Sequence, residues 1–72
     1  MKEEKVKLLD VVALTVDLPE RKLTRGQVGT VVESLAPDVF EVEFSDNDGQ
    51  TFASLALKAN QLLILHYEPA FA

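Results

Sequence analysis

The strongest alternation of apolar and polar positions in the chain is "VFEVEFS", Val39 to Ser45. Phe40, Val42 and Phe44 share one parity and Glu41, Glu43 and Ser45 the other. A period of two over that length predicts an antiparallel strand buried on one face. It is followed by "DNDG", Asp46 to Gly49, and then by "QTFASLAL". Asp48-Gly49 between two strand-like runs predicts a hairpin whose turn uses positive φ. Upstream, "QVGTVVESL", residues 27–35, reads as another strand. It is stopped by Ala36-Pro37-Asp38, because proline offers no donor to a central ladder and suits a turn.

The remaining apolar runs do not alternate. "LLDVVALTV", Leu8 to Val16, is expected to be the first strand, and "VDLPERKLTRG" a long exposed loop containing Pro19 and a cluster of charges. "KANQ", residues 58–61, is too short for a stable helix and predicts a single 3-10 turn before a last strand, "LLILHY". The tail "EPAFA" has no period and is expected to be loose unless Phe71 finds a pocket, as are the first few residues. Five short strands, a long first loop and one turn of helix before the last strand predict one all-β domain over 1–72, a small SH3-like barrel. An OB-fold would call for a longer chain with a helix between its third and fourth strands. Within such a barrel Gly26 turns the chain out of the loop and Gly29 passes close to a neighbouring strand, while Asp48 and Gly49 make the hairpin turn.

Composition narrows the class of function. At 72 residues the core is small, and with no cysteine neither disulfides nor thiolate metal sites supplement it. "MKEEKVKLLD" lacks the uninterrupted apolar stretch of a secretion signal, and no apolar run approaches the roughly 20 residues that span a bilayer. A cytoplasmic location is the expectation. The net charge of −5 is unevenly placed: residues 1–36 hold six Lys/Arg and six Asp/Glu, whereas 37–72 hold Lys58 against six acids. Such a surface repels phosphates and favours basic partners.

"KLLDVVALTVDLPERKLTRGQVGTVVE", "FEVEF" and "LKANQLLILH" together resemble a bacterial family of short SH3-like proteins, domain of unknown function 4926, from about Lys7 to Glu68. The resemblance supports the fold and carries no activity, cofactor or site residue. It implies a small partner protein, with an antitoxin-like or accessory role. "RGQVGTVVESLAPDVFEVEF" is also similar to a motif of ribosomal and transcription-elongation SH3-like domains. Those relatives surround it with lysines and arginines, since neutralising phosphates supplies most of the affinity. Here only Lys58 follows Gly26, and stacking aromatics are few: Phe40 and Phe44 share the apolar face, leaving Phe52, Tyr67 and Phe71. Arg21, Lys22 and Arg25 form a small basic cluster in the first loop that could contact nucleic acid, which is the alternative reading.

Other candidate chemistry is sparse. "DNDG" begins like a calcium loop but lacks the further oxygen ligands and the distant glutamate, so a turn is expected. His66 is the only histidine, and a zinc site around it would need carboxylates or a second chain. Ser34, Ser45 and Ser54 have no nucleophile elbow. No catalytic residue, cofactor or metal site is therefore assigned, and the protein is read as a non-catalytic interaction module that binds another chain, itself or a more basic partner. The expected contact residues are Leu18, Arg21, Lys22, Leu23, Tyr67 and Phe71, exposed in the loop and tail. For Leu18 and Leu23 the alternative is that they fold back beneath the loop and complete the core.

Overall fold

The computed structural model of the chain describes residues 5–66. Five strands follow in order: β1 (Val11–Leu14), β2 (Val28–Ala36), β3 (Val39–Ser45), β4 (Thr51–Lys58) and β5 (Leu62–Ile64). One 3-10 turn, Pro19–Arg21, lies between β1 and β2, and a second, Ala59–Gln61, separates β4 from β5. All pairings are antiparallel, in the order β4-β3-β2-β1-β5.

The alternation in β3 dictates the core. Phe40, Val42 and Phe44 are buried, and Val42 is flanked in register by Val31 of β2 and Leu55 of β4. Phe40 lies opposite Leu57, and Phe44 lies between Gly29 and Ala53. Val12, Leu14 and Leu62 continue the same apolar cluster across β1 and β5. Gly29 sits under this packing: a Cβ there would come within 2.7 Å of the Glu43 carbonyl oxygen, 2.8 Å of Val42 Cγ1 and 2.9 Å of Phe44 Cδ1. The β2–β3 register shifts twice, between Val31 and Glu33 and between Ser34 and Ala36. Bulges of this kind increase local twist and wrap a small sheet around its own core.

Several expectations change, and β5 ends at Ile64, short of the "LLILHY" expected of the last strand. The ladder is not closed into a barrel, since β4 and β5 are its two edges. Among the described residues there are two 3-10 turns rather than one, because Pro19 pre-sets φ and the Lys22 amide closes onto the Pro19 carbonyl at 3.0 Å. The first strand is shorter than Leu8–Val16. Leu9 adopts φ 70, and the Asp10 carboxylate accepts from the Lys7 amide at 2.9 Å and pairs with the Lys7 ammonium at 3.1 Å. That turn takes Leu8 and Leu9 out of the strand and leaves both side chains exposed.

The first loop is pinned inward. Leu18 and Leu23 exchange backbone hydrogen bonds of 2.9 and 3.1 Å, and the Leu23 side chain is buried within the core cluster, with Leu18 packed against it. Gly26, at φ 92, donates to the Leu14 carbonyl at 2.7 Å and returns the chain to the sheet. In the β3–β4 turn Gly49 has φ 81, while Asp48 is not among the residues of positive φ. Asp46 organises this turn, its Oδ1 accepting from the amides of Asp48 at 2.9 Å and Gln50 at 3.0 Å.

Candidate functional site

β1 and β5 carry apolar residues on both faces, so the face turned away from the core is apolar too. Ala13 is paired with Val28 on one side and Leu63 on the other, giving a row across β2, β1 and β5. Val28 is 47% exposed and Leu63 57%, values that make them surface and not core, whereas Ala13 between them is buried. Val11, two residues from Ala13 on the same parity, pairs with Thr30, and the Leu65 amide donates to its carbonyl at 2.8 Å.

An acidic strip borders this row. Thr30 is paired on its other side with Glu43, and Glu41 lies opposite Glu33. The two β3 carboxylates are half-buried and held in place across the ladder. Ser54 Oγ donates to Glu41 Oε2 at 2.6 Å, and Thr51 Oγ1 lies 3.5 Å from Glu43 Oε1. The outer side of the sheet thus offers apolar area from β5 to β2 and fixed negative charge from β2 to β3.

Two concave regions are also present, the first of which shares Leu63 with the apolar row. An open groove of about 750 Å³ at one end of the sheet is lined by Val6, Phe40, Ala59, Leu62 and Ile64 among others, with Lys5 and Asp38 at its margin. A smaller cleft of about 300 Å³ lies between the first 3-10 turn and β4, lined by Glu20, Arg21, Lys22, Phe52, Ala53 and Ser54.

Of the residues expected to bind a partner, Arg21 and Lys22 are exposed and line that cleft. Leu18 is half-buried and Leu23 is buried, so the loop leucines serve the core, which corrects Leu23 as a contact. Tyr67 and Phe71, with the whole tail, lie outside the described residues. Arg25 does not join Arg21 and Lys22 at the cleft; its amide donates to Asp17 Oδ1 at 2.8 Å. His66 is exposed beyond β5, and among the described residues no three His, Asp or Glu side chains are grouped to hold a metal. The Asp46 carboxylate is engaged by its own turn. Among the described residues no helix is long and apolar enough to cross a membrane.

Sequence reasoning missed Val28 and Leu63. The signal for Leu63 was the absence of alternation in "LLILHY", since a strand apolar at every position has two apolar faces; Val28 was set on the same face only by its pairing with Ala13. No curated protein and no solved structure matches the chain. Residues 8–64, most of the chain, match the family model described as Domain of unknown function (DUF4926), and the protein belongs to that family.

Proposed function

We propose that this protein is a non-catalytic interaction module of SH3-like architecture, an accessory or antitoxin-like partner of a more basic protein in the cytoplasm. The meander order, the long first loop and the 3-10 turn before β5 support the SH3-like reading. The observation that carries the binding role is the outer face of the sheet. Val28, Ala13 and Leu63 form an apolar row there, and Glu33, Glu41 and Glu43 lie along its border. An apolar centre with a charged rim is the composition of a protein contact, and here two exposed apolar side chains, Val28 and Leu63, flank the buried Ala13. The sign of the rim selects a basic partner and disfavours phosphate backbones.

Affinity capture from the native host, followed by identification and reconstitution of the purified pair, tests this. Capture of one basic protein is expected, with binding weakened by Leu63→Ser and by Glu41→Lys with Glu43→Lys, and unchanged by Arg25→Gln. A reconstituted pair indifferent to both sets of changes would refute the assignment of this face.

A further inference from the structure

The cleft between the first loop and β4 is a second site, on a different part of the molecule from the apolar row. We propose that it takes an extended, carboxylate-bearing peptide segment, which adds to the free edge of β4 and presents its acidic side chains to Arg21 and Lys22. The position of the cleft follows from its lining. Phe52, Ala53 and Ser54 are consecutive, and side chains alternate faces along a strand, so a cavity touched by all three runs along the edge of β4 and not over one face. β3 occupies the other edge of β4, and the sheet order leaves this one as the end of the ladder. A strand edge offers backbone donors and acceptors to an incoming extended chain.

The edge is suited to accept one. From Thr51 to Leu57 β4 carries no charge and no proline, two of the devices that block edge pairing, and its one irregularity is confined to the bulge at Phe52. Phe52 is the extra residue where the β3–β4 register shifts, between Phe44↔Ala53 and Ser45↔Thr51, and its ring is 48% exposed beside the cleft. The opposite wall is fixed: the Lys22 amide, at φ 59, donates a hydrogen bond to the Pro19 carbonyl, and the loop is anchored from beneath by Leu23.

Charge decides the occupant. The wall presents Arg21 and Lys22 against the single acid Glu20, and among the described residues neither cation has an ion-pair partner. Two β3 carboxylates on the β4 side are held by β4 hydroxyls, Glu41 by Ser54 and Glu43 by Thr51. The overall charge of −5 opposes long-range attraction of an acidic ligand, so backbone pairing with β4 supplies affinity and the two cations supply selectivity. A nucleic acid strand would gain the cations without using the edge.

The test is a titration of the isotope-labelled full chain, followed by backbone amide resonances, with a short capped peptide of alternating valine and glutamate. Saturable shifts at Phe52, Ala53 and Ser54 are expected. Arg21→Glu with Lys22→Glu should weaken binding by about tenfold or more, Arg21→Gln by less, and neither should change the melting temperature, because both side chains are exposed. A valine–lysine peptide should bind more weakly, and backbone N-methylation of alternate residues in the valine–glutamate peptide should abolish the shifts. Absence of shifts at millimolar peptide, shifts insensitive to the charge reversal, or shifts centred on Val28 and Leu63 would overturn the proposal. So would a uridine oligonucleotide moving the same resonances more tightly than the peptide.

Discussion

Gly29→Ala separates two reasons for a glycine in this fold. Gly29 does not have the positive φ of Gly26 or Gly49, so alanine meets no backbone penalty there; it meets atoms. All three nearest neighbours of an added Cβ lie under 3.0 Å, and the closest, the Glu43 carbonyl oxygen at 2.7 Å, belongs to the paired strand and cannot rotate away. Overpacking of a tight core costs about 1–3 kcal/mol, and a backbone obstacle places this case at about 2–3 kcal/mol. A domain of this length has a total stability of about 4–11 kcal/mol, so the change removes a large share of it. The melting temperature should fall by about 8–24 °C. Gly26→Ala is the control, since open space surrounds its Cβ and only φ 92 opposes the residue. It should cost about 1 kcal/mol, the left-handed penalty less the entropy saved in the unfolded chain. Both variants are read by urea and thermal unfolding, followed by far-ultraviolet circular dichroism. If Gly29→Ala is the milder of the two, or melts with the unmodified chain, the close approach of β2 to β3 described here is wrong.

Leu23→Ala should lose about 2–4 kcal/mol in the same unfolding assay although Leu23 sits in a loop, because its side chain is buried in the core cluster; a loss under about 0.5 kcal/mol would return the loop to the solvent. Asp46→Ala removes the acceptor of two turn amides and should cost about 1–2 kcal/mol by urea unfolding, with Asp46→Asn restoring most of it. Leu63→Lys lies on the exposed row and should leave stability within about 0.5 kcal/mol of the unmodified chain while preventing assembly of the reconstituted pair. Duplex DNA and single-stranded RNA should bind no more tightly than about 10⁻⁴ M at physiological salt by fluorescence polarisation; submicromolar binding lost on changing Arg21, Lys22 and Arg25 to Glu would favour the nucleic-acid reading.

Legibility followed how locally each element is determined. Val39–Ser45 carries its burial in its own alternation, and its bounds in the structure are those of the pattern. Ala59–Gln61 was legible because a short polar stretch between two apolar strands leaves few alternatives. Leu8 and Leu9 misled, since the sequence offers no local sign that a leucine will take φ 70; the turn depends on Asp10 reaching back to Lys7. The acidic half of the outer face could be read from Glu41 and Glu43 alone. Its apolar half could not be placed before the register set Val28 and Leu63 on either side of Ala13.

The first loop joins these levels. A domain of 72 residues has few apolar side chains with which to cover an open sheet, and Val11 of β1 and Leu63 of β5 lie outside the core cluster. Leu23 and, in part, Leu18 make up the difference by folding beneath the loop, and full burial of one leucine contributes about 1.5–3 kcal/mol. Their inward position forces the intervening Pro19–Lys22 outward as a closed 3-10 turn with a left-handed end. The same packing that completes the core therefore sets Arg21 and Lys22 at a fixed station beside β4. A loop chosen only for binding would not need Leu23, and a loop chosen only for stability would not need two exposed cations at its tip. That both occur within five residues of each other is why loss of Leu23 should weaken the cleft as well as the core, whereas loss of Arg21 should touch the cleft alone.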